Sequence, residues 1–390
     1  MTTLKEIQDA DRAGDETLKK IKDADLGFFP LELPDDYSFP SKLPDDYKMP
    51  EKLVKEDFPF IQVPVKRERH AFDYDDVQLI PKKGILEHRK NAETWVKFGG
   101  FLWKLPVLPA NMSSVINAQL CLLLAQNSYL YCMHRFCTDE ERLQFAKDIK
   151  KEDLPLSMAF GVKKEEFDLA EKIKEEGLNI DLLWVDVAHG YSVIMKDSIK
   201  RYKQIFPNAF IIAGNVAEVE GAKFLEKAGA DAVKLGIGHG EACITRLKTG
   251  FSNFGWQLSA VEEAANELKV PIVCDGGVHE HGDIAKALVM GATVCMAGSM
   301  FSALIDSPGN IIEKDGLQYK EYFGSASARQ KKNGSNQPVN VEGKCILKPL
   351  RDHDLLTEMK WIEEDLQSAI SYAGGYDISA FNNVEYIVTC

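Results

Sequence analysis

Residues 210–238 read Phe-Ile-Ile-Ala-Gly-Asn-Val-Ala-Glu-Val-Glu-Gly-Ala-Lys-Phe-Leu-Glu-Lys-Ala-Gly-Ala-Asp-Ala-Val-Lys-Leu-Gly-Ile-Gly, and this stretch decides the fold class. It opens on an aliphatic run, Phe210–Val216. A charged segment with apolar residues at three and four spacing follows, and then a second aliphatic run from Ala232. Uninterrupted apolar strands alternating with amphipathic helices are the pattern of a parallel sheet covered on both faces. The pattern repeats on either side. Strands are predicted at Pro106–Met112, Tyr129–Arg135, Leu156–Val162, Leu182–His189, Phe210–Val216, Ala232–Gly238, Pro271–Val278 and Thr293–Met300. Helices are predicted at Lys164–Glu176, Val193–Ile205, Ala217–Ala228, Ala260–Leu268 and Gly282–Met290. Eight such units close an α/β structure, the (β/α)8 TIM barrel. A doubly wound open sheet would want a glycine fingerprint after an early strand. The first strand here ends in Pro109-Ala-Asn-Met-Ser113, which does not supply it.

The chain has 390 residues, more than the roughly 250 such a barrel needs. The surplus is placed at the amino terminus, with residues 1–65 as an acidic, repeat-containing extension and residues 66–390 as the catalytic barrel. Up to Phe60 acidic residues outnumber basic ones by 15 to 9. Within this region Leu33-Pro-Asp-Asp-Tyr-Ser-Phe-Pro-Ser-Lys42 is followed by Leu43-Pro-Asp-Asp-Tyr-Lys-Met-Pro-Glu-Lys52. Proline at that density forbids a continuous helix. The repeats are expected to serve as an arm over the body or as a docking segment using Tyr37, Phe39 and Tyr47.

The net charge of −13 and the lack of any long Lys/Arg run argue against nucleic acid as a partner. The longest apolar run, near Leu120–Ala125, is too short for a membrane span. Met1–Arg12 is charged where an export signal would be apolar, so the cytoplasm is the expected compartment. The eight cysteines lack C-x-x-C spacing, so neither zinc nor a disulfide framework is expected, and most are read as buried small hydrophobes.

Strand carboxyl ends face the active site of such a barrel. Here they carry Asn111, Ser113 and Ser114, His134 and Arg135, Asp186 and His189, Asn215, the 236–243 loop, Asp275-Gly276-Gly277, and Gly298-Ser299. Convergence of that polar set points to a site. In Gly236-Ile-Gly-His-Gly-Glu-Ala-Cys243-Ile-Thr245 three glycines precede a single thiol, with a hydroxyl two residues later. This arrangement suits an activated nucleophile with a proton-transfer partner. The glycines after the last two strands can bind phosphate through backbone N–H groups, and Asp275 can accept from ribose hydroxyls. The expected substrate is a phosphorylated sugar or nucleotide.

The set Phe72-Asp-Tyr-Asp-Asp-Val-Gln-Leu-Ile-Pro81, Pro109-Ala-Asn-Met112, Met133-His-Arg135, Val185-Asp-Val-Ala-His-Gly190, Ala213-Gly-Asn-Val216, Lys248-Thr-Gly-Phe251, Asp275-Gly-Gly277 and Tyr322-Phe-Gly-Ser-Ala-Ser327 resembles the bacterial guanosine monophosphate (GMP) reductases, in the family that also includes inosine monophosphate (IMP) dehydrogenase. Only about twenty residues separate the second and third strands, too few for the regulatory insert of the dehydrogenases, which favours the reductase branch. The resemblance implies NADPH-dependent conversion of GMP to IMP and ammonia, a Cys243 thioimidate, and Thr245 as proton carrier. By the same carry-over, Asp186, Ala188, His189 and Asn215 meet the cofactor and the reacting base. Gly276, Gly277, Gly298, Ser299 and Tyr322 hold the 5′-phosphate, Asp275 the ribose, and Ser325 and Ser327 the base, with Gly324 a further substrate-binding residue. Carbonyls of Gly238, Gly240 and Cys243 match positions that hold K+, residues 324–343 a flap over the base, and the assembly would be a homotetramer.

Three positions depart from the resemblance. The glutamate expected just after Gly-Ser-Ala-Ser is Ala328, which carries no proton. Glu241 stands where Ser or Lys is expected near the phosphate, and a carboxylate there repels a dianion by about 4 kcal/mol at about 4 Å. His239 replaces a proline and is expected to loosen the loop. Deamination is expected to be crippled unless Glu342, Glu241 or water substitutes for the missing acid, and the alternatives are a catalytically impaired purine-nucleotide-binding regulatory protein or an oxidoreductase on a different purine.

Overall fold

In this computed structural model, which describes residues 69–331 and 340–389, the aliphatic runs form parallel strands whose side chains alternate between two cores. The acidic extension and residues 332–339 of the expected flap lie outside the described residues. Strand β1 (Val77–Leu79) and the hairpin β2 (Val96–Phe98) and β3 (Phe101–Trp103) precede the barrel. Barrel strands follow as β4 (Val107–Pro109), β5 (Ser157–Phe160), β6 (Leu182–Asp186), β7 (Phe210–Val216), β8 (Ala232–Leu235), β9 (Ile272–Asp275) and β10 (Val294–Ala297). Their order across the sheet is β4-β10-β9-β8-β7-β6-β5, all parallel.

The eighth position is a correction to the expected strand at Tyr129–Arg135. That segment touches β5 through one bridge, Met133 to Met158, with Met133 N–H donating to Ser157 O at 3.1 Å and Ala159 N–H to Met133 O at 2.8 Å. The barrel is therefore built of seven laddered strands and one loosely paired segment. The other seven strands match the expected runs, Phe210–Val216 over its full extent and the rest shortened at one or both ends.

Helices α1 (Ala118–Gln126), α2 (Asp139–Lys151), α3 (Lys164–Glu175), α4 (Val193–Ile205), α5 (Val219–Ala228), the short α6 (Thr245–Thr249), α7 (Gln257–Glu267) and α8 (His281–Val289) return the chain between strands. Helix α2 starts at a capping box, with Thr138 and Glu141 satisfying each other's backbone N–H groups. After β10 the chain makes a three-stranded antiparallel excursion, β11 (Ile311–Lys314), β12 (Leu317–Phe323) and β13 (Cys345–Pro349), with α9 (Ala328–Lys331) between the last two. Helix α10 (Leu355–Ala373) then packs on α8, and β14 (Tyr386–Val388) pairs antiparallel with β1. No helix among the described residues is long and apolar enough to cross a membrane.

Inside the barrel Leu108, Leu130, Ala159, Trp184, Ile212, Ala232, Val273 and Val294 form one buried core. The β2–β3 hairpin joins it, with the Phe98 ring 5.2 Å from Phe210 and 6.3 Å from Trp184. This hairpin, which periodicity did not single out, caps the amino-terminal end and leaves the carboxyl end for chemistry. There the chain must squeeze past itself. Gly236 adopts φ +140, and a Cβ on it would lie 1.9 Å from the Asp275 carbonyl oxygen. Gly236→Ala is expected to cost about 3 kcal/mol of stability, read as a lowered urea midpoint with unchanged slope.

Candidate active site

A cavity of about 500 Å³ opens at the carboxyl ends of the strands. Cys243, Thr245, Asp186, Ala188, Asn215, Asp275, Gly238, Gly240, Tyr322, Gly324 and Ser325 all line it, so most of the expected site residues meet at one place. Gly276, Gly277, Gly298 and Ser299 sit just beyond the lining, after β9 and β10. His189 is exposed outside it. Ser327 is buried, and its hydroxyl accepts the Gln330 N–H at 3.2 Å at the start of α9.

Cys243 is set apart from the other thiols by its surroundings. Cys121, Cys132, Cys274 and Cys295 are buried in the body, and burial pushes the Cys274 thiol up to about 11. Cys243 instead stands half-buried on the cavity wall. Its Sγ donates to Thr245 Oγ1 at 3.2 Å, and Thr245 Oγ1 donates to Glu342 Oε2 at 2.8 Å. A thiol, a hydroxyl and a carboxylate thus form one chain. The segment carrying Glu342 is stitched to the cysteine loop. Ile244 N–H donates to Glu342 O at 2.8 Å and Lys344 N–H to Ala242 O at 2.9 Å, while Gly343 bridges both Cys243 and Ser327. A Cβ on Gly343 would lie 2.9 Å from Ser327 N, so only glycine threads this gap.

This geometry bears on the acid missing at Ala328. Ala328 opens α9 and does not line the cavity. The carboxylate that meets Thr245 comes from position 342, one of the substitutes considered above. His239 also differs from expectation: it tethers its loop rather than loosening it. Its Nε2 lies 2.6 Å from Asp73 Oδ2, and its ring packs among Tyr74, Phe254 and Gly277. Burial pulls its pKa down, but the Asp73 carboxylate more than offsets this and raises it above the ordinary imidazole value.

Along the cavity wall runs a charge network whose carboxylates and amides the sequence nominated but whose cation, Lys234, it did not. Lys234, on the inner face of β8 and 3% exposed, reaches Asp186 Oδ1 at 2.8 Å and Asp275 Oδ2 at 2.7 Å. Asn215 donates to Asp275 Oδ2 at 2.7 Å and to Gly236 O at 2.6 Å, and Asn111 donates to Asp186 Oδ2 at 3.2 Å. Burial alone would raise Asp186, yet Lys234 and Arg135 hold it below the usual carboxylate range. Burial likewise would lower Lys234, and the two carboxylates raise it above the ordinary lysine value. The signal was present in the sequence: a single lysine inside the aliphatic run Ala232–Leu235 must be paired if that strand is buried.

Glu241 is met by a cation and a hydroxyl. Its carboxylate accepts from the Ser299 hydroxyl and from Lys348 Nζ, the latter at 2.8 Å. Burial raises its pKa, but these two bonds outweigh it and hold the carboxyl below its ordinary value. On the cavity's other side Arg135 lines the wall with its Nε buried and without a hydrogen-bond partner among the described residues, and Lys163 adds a second cation. That donor set suits an anionic dinucleotide beside the thiol.

Residues 71–389 match the family model described as IMP dehydrogenase / GMP reductase domain. The chain is 48% identical over 319 residues to the GMP reductase of Lacticaseibacillus paracasei, covering 81% of this chain and 94% of that protein. It is 48% identical over 321 residues to the GMP reductase of Bacillus licheniformis, covering 82% and 96%. With that of Ligilactobacillus salivarius it shares 47% over 320 residues, covering 82% and 96%. At this coverage, with a barrel whose cysteine loop opens into the cavity, the chain belongs to the IMP dehydrogenase / GMP reductase family of enzymes.

Proposed function

We propose that the protein is an NADPH-dependent oxidoreductase that converts GMP to IMP and ammonia. The observation that carries this reading is the chain from Cys243 Sγ through Thr245 to Glu342 on the cavity wall, opposite Asp275. Cys243 attacks C2 of the purine, its proton passing through Thr245 to the Glu342 carboxylate. The same route returns the proton to the 2-amino group, which leaves as ammonia while the C2–S bond of the thioimidate remains. A reduced nicotinamide, when bound, would supply hydride to C2; the C2–S bond then breaks with its electrons going to sulfur, and the released thiolate takes a proton from water to restore Cys243.

Asp186, Ala188 and Asn215 stand on the same cavity as the thiol and would hold the nicotinamide end, with Arg135 and Lys163 facing its phosphates. Asp275, fixed by Lys234 and Asn215, would receive the ribose. The Gly240 carbonyl accepts the Cys243 N–H at 2.8 Å, closing a turn around the thiol. Its second lone pair, with the Gly238 and Cys243 carbonyls, would hold a monovalent cation. Splitting one displacement into two steps asks the protein only for a nucleophile and a proton path, and both are present.

Purified protein given GMP is expected to consume NADPH and release ammonia in equal amounts. Cys243→Ala is expected to show neither, and equal rates in the two proteins would end this reading. Two further expectations belong to it. The enzyme is expected to run as a homotetramer on gel filtration, and the acidic extension 1–65 to be a separate appendage from the catalytic body 66–390.

A further inference from the structure

Three elements converge where the phosphate of the proposed substrate would sit. Ser299 opens the turn just after β10, Glu241 belongs to the cysteine loop, and Lys348 reaches in from β13. Lys348 Nζ bonds the Glu241 carboxylate at 2.8 Å, the Ser299 hydroxyl, and the Ser299 carbonyl at 3.4 Å, and it stands 5.8 Å from the Tyr322 ring centre. The Cys243 cavity reaches Tyr322 and Gly240, but Ser299, Glu241 and Lys348 are not among the described residues that line it. A closed cluster of carboxylate, ammonium and hydroxyl thus fills the space beyond.

We infer that Lys348 is the cation that recognises the 5′-phosphate, and that Glu241 is an internal carboxylate that holds the phosphate's place until the nucleotide displaces it. The inference rests on the proposed reading of this cavity as a purine-nucleotide site and adds what selects nucleotide over nucleoside. A carboxylate and a phosphate ask for the same partners, an ammonium and a hydroxyl, so one can exchange for the other. Both partners are already assembled and aimed. The Glu241 side chain is 36% exposed and has a path to water, whereas Lys348 at 21% is held over the Tyr322 ring and stays. A dianion brought beside an ionised Glu241 is repelled, which drives the exchange to completion rather than to sharing. The Ser299 hydroxyl, freed from Glu241, turns to the phosphate together with the backbone N–H groups after β9 and β10. Guanosine carries no anion to exchange, so the ion pair stays closed against it and only its base and ribose bind.

The two members of one ion pair then have opposite effects, which a merely structural pair does not. Lys348→Met is expected to weaken GMP binding about 50-fold, with kcat at saturating GMP nearly unchanged. Glu241→Gln is expected to tighten GMP binding about 5- to 10-fold by removing the competing charge. Both are expected to leave guanosine binding within about 3-fold, and Lys348→Arg to retain most of the GMP affinity. Calorimetric titration with GMP and with guanosine reads the affinities, NADPH consumption reads turnover, and thermal melting shows that each variant is folded. Weaker GMP binding in Glu241→Gln, or equal losses for GMP and guanosine in Lys348→Met, overturns the inference while leaving the reductase reading in place. The opposite shifts without turnover in the unaltered protein overturn the reductase reading and uphold the inference. Failure of the unaltered protein to bind GMP overturns both.

Discussion

Glu342→Gln is expected to lower kcat for GMP by about 10²- to 10⁴-fold, the usual loss when a general acid is removed. The amide keeps the shape and can still bond Thr245 Oγ1, so KM for GMP is expected to move less than about 3-fold. Ala328→Glu is the informative partner. A carboxylate at 328 would sit at the start of α9, off the cavity, while Thr245 is already served at 2.8 Å by Glu342. It is therefore expected to change kcat by less than about 3-fold and to give no rescue of Glu342→Gln. Steady-state kinetics of the two single variants and the double variant decide this. A large gain from Ala328→Glu would mean that position 328 is the true seat of the acid and that Glu342 only braces the flap.

Lys234→Met is expected to cost about 3–5 kcal/mol, because it leaves Asp186 and Asp275 facing each other without their shared cation in a buried place. Urea denaturation at neutral pH measures the loss. The pH dependence carries a sign. Asp186 has its folded pKa depressed, so it contributes stability above the unfolded carboxylate value, and that contribution disappears as pH falls through the lower folded value. In the variant the cation is gone and protonation relieves the unpaired charge. The deficit is therefore expected to narrow as pH drops through the carboxylate range. A deficit that is constant with pH would mean that Lys234 matters by packing its aliphatic stem and not by its charge.

Much of this enzyme was legible before folding, for identifiable reasons. Strands such as Phe210–Val216 and Ala232–Leu235 announce themselves because burial on both faces favours apolar residues, the buried Lys234 being tolerated through its carboxylate partners. The strand ends then nominate Asp186, Asn215, Cys243 and Asp275, because a barrel places all its carboxyl termini on one rim. Segment 129–135 was read as a strand because Leu130 and Cys132 do face the barrel core, but only Met133 makes the ladder contact. Side-chain pattern records burial; it does not record backbone pairing. The glutamate expected just after Ser327 is absent from the sequence, and the chain itself does not say which of the candidate substitutes reaches Thr245; only the approach of the 340–344 segment to the cysteine loop brings Glu342 there.

What the sequence by itself determined is everything that depends on near neighbours: the alternation of strand and helix, the tight glycine turn that carries the thiol, and the placement of Thr245 two residues beyond it. The tertiary structure alone decided which carboxylate serves Thr245, which cation lies under Asp275, and what answers Glu241. Those partners stand 97, 41 and 107 residues apart in the chain. No local propensity links them. They meet because closing the barrel and laying β13 and the 340–344 segment across its rim draws them together away from water, where a charge or polar group must find a partner.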